Sequence, residues 1–146
     1  MKGYDSGNMA PPSRTRWSPG PPGSALCPGP ILIVDDDPDI RSFVEQVLAD
    51  EGYAVATAGD GLSALETATG RSPQLILLDM RMPGMDGWTF AETYRAQPGP
   101  HAPIVVMTAA RNAAERAVEI QAEGFLSKPF DLNDLLEVVG RLSAPI

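Results

Sequence analysis

The stretch Leu75-Ile76-Leu77-Leu78-Asp79-Met80-Arg81-Met82-Pro83-Gly84-Met85-Asp86-Gly87 fixes how the rest of the chain is read. Its first four residues are branched aliphatics with no polar interruption. That suits a strand buried on both faces in a parallel sheet better than a strand with one wet face. The run ends in Asp79, so a carboxylate should stand at the strand's carboxyl end. Similar runs lie at 31–34 and 104–107, with weaker ones at 53–58 and 125–126. Helical patterns separate them. Ile40, Phe43, Val44, Val47 and Leu48 recur at the spacing of one helix face, with Asp37 as N-cap, Pro38 in the first helical position and Gly52 at the close. A second helix is expected over 61–69, capped by Asp60 and ended by Gly70. An aromatic-rich third is expected over 87–96 and an alanine-rich, thinly apolar fourth over 112–121. The last should turn Leu132, Leu135, Leu136, Val139 and Leu142 inward, with Asp131 as N-cap and Phe130 stapled to Leu135. Five strands and five helices in strict alternation imply right-handed βαβ crossovers and an open α/β sandwich.

Outward from this pattern, the 146 residues have the length of one domain. Residues 1–30 hold 7 of the 15 prolines and 5 of the 14 glycines, with only scattered large apolar residues such as Trp17. They are expected to form a disordered Pro/Gly-rich leader, because they cannot bury enough surface to offset ordering entropy. A start codon placed too far upstream, or a partner-binding motif around Trp17, would give the same composition. Residues 31–146 form the expected folded domain. They carry 18 of the 19 acidic residues and 8 of the 11 basic ones, which argues against binding DNA or RNA. One cysteine, Cys27, excludes an intrachain disulfide, and a lone histidine, His101, argues against His-based metal or triad chemistry. His101 is expected to be structural or on the surface. No apolar run approaches the ~20 residues of a membrane span, and residues 1–30 lack a signal-like apolar stretch. A cytoplasmic location is expected.

The chemistry should lie beyond the carboxyl ends of the strands. Those ends are polar in a consistent way: Asp35-Asp36-Asp37, then Asp79, Thr108 and Lys128. Carboxylates a few Å apart repel by ~1 kcal/mol in water and about 4 kcal/mol at an effective dielectric of 20. Such a cluster needs a cation. Oxygen ligands without His or Cys point to Mg²⁺, and Lys128 adds a second positive charge. An aspartate beside both is suited to attack on a phosphoryl group, with Thr108 bonding a phosphoryl oxygen.

Four stretches, Ile31-Leu-Ile-Val-Asp-Asp-Asp-Pro-Asp-Ile40, the run from Leu75 to Gly87, Val106-Met-Thr-Ala109 and Gly124-Phe-Leu-Ser-Lys-Pro-Phe130, occur in this order. Together they resemble the receiver domain of two-component response regulators, over residues 31 to about 143. The resemblance implies a flavodoxin-like (βα)5 fold, a doubly wound parallel five-stranded sheet of order 2-1-3-4-5. It implies that Asp79 is the phosphoacceptor, charged from the phosphohistidine of a sensor histidine kinase or histidine phosphotransfer protein. Mg²⁺ would be held by the carboxylates of Asp36 and Asp79 and the backbone carbonyl of Arg81, with Asp35 acting through water. Lys128 would pair with the phosphoryl group, Thr108 would turn toward it, and Phe125 would be the aromatic switch whose rotamer follows Thr108. The peptide before Pro129 should be cis, and Gly84 and Gly87 fit the tight loop after Asp79. Phe125 replaces a frequent Tyr, Gln121 stands where Gly often ends the fourth helix, and Arg81 and Ala110 occupy positions that influence dephosphorylation.

Taken singly, these residues can be read more plainly. Asp37 is expected to be only a cap, Asp79 alone could form a turn, and Thr108 alone could cap the next helix. Lys128 alone could be a solvated lysine, Trp88 packing, and Asp131 and Asp134 charges at a helix start. Asp35-x-Asp37 also mimics the nucleophile motif of haloacid-dehalogenase-like phosphatases. In this chain, however, a capped helix begins at Pro38-Asp39, and no cap insertion is visible. A receiver fold serving as a phosphorylation-independent binding module would be expected to lose site residues, and all of them are present. The expectation is therefore a stand-alone response regulator, since no effector follows the last helix. It is not expected to be a turnover enzyme, though it would assist its own phosphotransfer and dephosphorylation. Its output would be read by a downstream protein or a second copy of the chain.

Overall fold

The computed structural model of the chain describes residues 29–82, 84–109 and 113–143. Strands β1 (Ile31–Val34), β2 (Val55–Ala58), β3 (Leu75–Asp79), β4 (Ile104–Ala109) and β5 (Gly124–Lys128) alternate with helices α1 (Pro38–Asp50), α2 (Gly61–Arg71), α3 (Gly87–Ala96), α4 (Ala113–Glu119) and α5 (Leu132–Leu142). All strand pairs are parallel, in the order β2-β1-β3-β4-β5. The alternation predicts the open α/β sandwich, and the order is the doubly wound one that the family resemblance implies.

The uninterrupted apolar strands have a direct structural cause. Successive side chains point to opposite faces, and both faces are covered. Leu32, Val34, Ile76 and Leu78 pack with Ala64, Leu65 and Phe90 in one core, and Ile31, Ile33, Leu75 and Leu77 pack with Val44, Leu48, Leu135 and Val139 in the other. Register then sets the site. Val34 pairs with Leu78, so Asp35 and Asp79 follow at the same level, and Asp79 itself pairs with Met107, just before Thr108. Ala109 pairs with Lys128.

Several boundaries differ from expectation. Helix α2 runs through Gly70 and ends when Ser72 takes a left-handed φ of 48°, because Pro73 disfavours a helical conformation in the residue before it. Phe43 and Leu132, placed on inner faces by periodicity, are 44% and 46% exposed, since the spacing gives a face's direction and not its width. Helix α4 ends at Glu119, and Gln121 beyond it takes a left-handed φ of 54°. Gly29 and Pro30, grouped with the leader by composition, are tied to the domain. The Gly29 carbonyl accepts from Gln74 Nε2 at 2.9 Å, and the Pro30 carbonyl accepts from the Gln74 N–H at 2.9 Å. The rest of the expected leader, including Trp17 and Cys27, and also Pro83, Ala110 and residues 144–146 lie outside the described residues. No helix among the described residues is long and apolar enough to cross a membrane.

Candidate functional site

Each acidic site residue is delivered by the end of a buried strand. Asp35 follows β1 directly and is fully buried. Its Oδ1 accepts the Asp37 N–H at 2.9 Å, and its Oδ2 lies 2.8 Å from Lys128 Nζ at the end of β5. Asp79 closes β3 and is only 6% exposed. Its Oδ1 accepts the Arg81 N–H at 3.2 Å and stands 3.8 Å from Lys128 Nζ. Asp36 is exposed, and one carboxylate oxygen from each of Asp35, Asp36 and Asp79 lies within 4.8 Å of the others. Among the described residues, three carboxylates face one ammonium, which leaves the cluster short of positive charge.

The shortfall appears in the ionisation of Asp79. Burial, followed by the charge of Asp35, pushes its carboxyl up to about 6 from an ordinary 3.8. Lys128 and the Arg81 N–H oppose the rise, and Asp36 adds to it. The set is all oxygen and lacks one divalent charge, which fits a hard cation such as Mg²⁺.

The loop after Asp79 is drawn tightly against the strand. The Gly87 N–H donates to the Met80 carbonyl at 3.1 Å, and a Cβ at 87 would come within 2.6 Å of Met80 Sδ, so no larger residue fits without movement. Gly84 takes a positive φ of 79° in the same loop. The Lys128–Pro129 peptide is cis. Thr108 is 5% exposed at the end of β4, while Phe125 on β5 is 45% exposed. Val106 pairs with Phe125 and Thr108 with Ser127, so Thr108 and Phe125 share one face of the sheet, the face that holds Val106 against the core with Phe90 and Ile120.

The remaining expectations are resolved by their contacts. Asp37 caps α1, accepting the Asp39 N–H at 2.9 Å, and Asp131 and Asp134 form a reciprocal capping box on α5. His101 is exposed, 2.7 Å from the Gln97 carbonyl and edge-on to Tyr94, far from this chemistry in the fold. Trp88 does more than pack: its Nε1 donates to Glu119 at 2.7 Å. Two residues escaped the sequence reading. Arg41 Nη1 donates to the Asp35 carbonyl at 2.6 Å, and Arg95 on α3 donates to the Ile120 and Gln121 carbonyls just beyond α4. Neither leaves a periodic signature, because each contact depends on tertiary placement.

Comparison with known proteins gives a family and a fold. A family model described as the response regulator receiver domain matches residues 31–140. The transcriptional regulatory protein PdtaR of Mycobacterium tuberculosis is 38% identical over 118 residues, which is 79% of this chain and 57% of PdtaR. The DNA-binding transcriptional regulator NtrC of Escherichia coli is 36% identical over 115 residues, 77% of this chain and 24% of NtrC. The chain thus spans between a quarter and just over half of these relatives' lengths. Among solved structures, the chemotaxis protein CheY4 of Vibrio cholerae superposes with a TM-score of 0.73 at 34% identity, covering 80% of this chain and 99% of that one.

Proposed function

The chain belongs to the response regulator receiver domain family, a signalling fold rather than a classical enzyme, and from that premise we propose that residues 31–146 accept a phosphoryl group on Asp79. The observation that carries the proposal is the Asp79 carboxylate, nine-tenths buried at the end of the central strand, with an ammonium 3.8 Å away and two further carboxylates beside it. The donor is the phosphohistidine of a sensor kinase or histidine phosphotransfer protein. An Asp79 oxygen attacks phosphorus, the P–N bond breaks, and its electron pair leaves with the imidazole, which departs neutral because its other nitrogen carries a proton.

Asp36 and Asp79 would hold Mg²⁺ through carboxylates and Arg81 through its carbonyl, with Asp35 acting through water. The ion, when bound, neutralises charge between these carboxylates and the phosphoryl oxygens. Lys128 contributes a fixed cation already oriented by its 2.8 Å pair with Asp35. Burial excludes bulk water from Asp79 and strengthens that electrostatic field. Thr108 hydrogen-bonds a phosphoryl oxygen after transfer. The same groups assist hydrolysis of the aspartyl phosphate, so the domain also resets itself.

Output leaves through the α4-β5-α5 face. Thr108 moving toward the phosphoryl group gives the Phe125 ring room to turn inward. A groove of about 580 Å³ on that face, bounded in part by Ala114, Val118, Phe125, Val138 and Arg141, changes shape when it does. A downstream protein or a second copy of the chain reads the difference. The acidic domain is not itself a nucleic-acid reader. Its setting is the cytoplasm, where ATP charges kinase histidines. Incubation with acetyl phosphate should add one phosphoryl mass in Mg²⁺ and almost none in EDTA, and Asp79→Asn should add none. Full labelling of Asp79→Asn would refute the assignment.

A further inference from the structure

We propose that Arg41 is a positioning residue for the carboxylate cluster: its guanidinium, laid across Gly59, fixes the peptide joining Asp35 to Asp36 and so sets where the Asp36 carboxylate stands. The proposal rests on the reading of that cluster as a magnesium and phosphoryl site.

Arg41 sits at the start of α1, its N–H bonded to the carbonyl of the cap Asp37 at 3.0 Å. From there Nη1 turns back to the Asp35 carbonyl at 2.6 Å. A charged donor on a strand-end carbonyl makes a stronger bond than water would. Gly59, directly after β2, gives the guanidinium its floor. A Cβ at 59 would lie 2.9 Å from Nη1 and 3.5 Å from Cζ, so the planar group occupies the space a side chain would fill. The Asp35 N–H is meanwhile bonded to the Ala58 carbonyl at 3.1 Å. Asp35 is thus held by the sheet through its N–H and by Arg41 through its C=O.

The consequence falls on the next residue. The Asp35 carboxylate is fixed by its own bonds to Asp37 and Lys128. The Asp36 carboxylate is exposed, and among the described residues no donor is bonded to it. Its position is therefore inherited from its backbone, and the Asp35–Asp36 peptide carries the oxygen that Arg41 grips. Releasing that oxygen lets the peptide rotate and spreads Asp36 over positions that no longer converge on Asp79.

Calorimetric titration of Mg²⁺ into the full chain tests this, with metal-free melting temperature as the control. The parent should bind. Arg41→Ala should bind about tenfold more weakly, the scale of one hydrogen bond to a charged group. Arg41→Lys should recover part of the loss, since an ammonium can reach the carbonyl but cannot lie flat on Gly59. Gly59→Ala should also weaken binding, and should add almost nothing in the Arg41→Ala background, because both act through one guanidinium. Should Arg41→Ala fail to fold, Arg41→Lys and Gly59→Ala decide the matter. Parent-like affinity in the folded Arg41 and Gly59 variants, or additive losses in the double variant, would overturn the positioning role alone. Absence of Mg²⁺ binding by the parent would instead overturn the reading of the site, and this role with it.

Discussion

Asp79 ionises near 6 in the folded chain, mainly through burial and then the neighbouring Asp35, while an unfolded aspartate ionises near 3.8. Between those values the folded state binds the extra proton, so this group's contribution to stability falls as pH rises. Without metal, the charged Asp79 costs on the order of 3 kcal/mol above the folded value and nothing below the unfolded one. Asp79→Asn should therefore melt several degrees above the parent at pH 7 in EDTA, and the two curves should converge near pH 4. A difference that stays constant across this range would show that charge is not its cause. At this scale Asp35 and Asp79 were legible because each stands directly after an apolar run, where a strand must end, and Asp36 and Lys128 because each lies one residue further on. Arg41 was not: a helix residue reaching back to a strand-end carbonyl has no counterpart in spacing or composition.

Helix α4 has seven residues, too few for stability by propensity alone. Ala113, Ala117 and the following Ile120 supply its small buried face. Polar contacts from α3 add to its packing on β4 and β5: the Trp88–Glu119 bond, Arg116 over the Trp88 ring at 5.4 Å, and Arg95 on the Ile120 and Gln121 carbonyls just beyond the helix. An element held this way belongs to the low-stability end of a fold, and a modest differential contact can shift it. Beryllofluoride with Mg²⁺ should alter amide exchange over 113–128, and Thr108→Ala should shrink that change while leaving Asp79 phosphorylatable. Changes confined to 31–60, with none over 113–128, would contradict the Thr108–Phe125 coupling. The alanine content already marked α4 as thinly packed. Its polar contacts with α3 stayed hidden because Trp88 and Arg95 look like ordinary amphipathic helix residues, whereas Gln121, which the sequence places where Gly often ends this helix, does take the left-handed conformation.

For the molecule as a whole, alternating apolar runs and capped helices made the sheet and its two faces legible, because a parallel sheet covered on both sides requires that pattern. The edge of the domain was less legible, since Gly29 and Pro30 have a leader's composition and a domain's hydrogen bonds. Removing residues 1–28 should leave the melting temperature unchanged, whereas removing 1–30 should lower it, because the Gly29 and Pro30 carbonyls that accept from Gln74 would be lost. Equal loss in both truncations would show that residues 1–28 pack on the domain. The central claim is a phosphoryl group on one named carboxylate, and chemical trapping reads it most directly. The chain is treated with acetyl phosphate and Mg²⁺, the acyl phosphate is reduced with borohydride, and the peptides are mapped by mass. The predicted result is homoserine at position 79 alone. Homoserine at Asp35, Asp36 or any other aspartate, with residue 79 unchanged, would contradict the account.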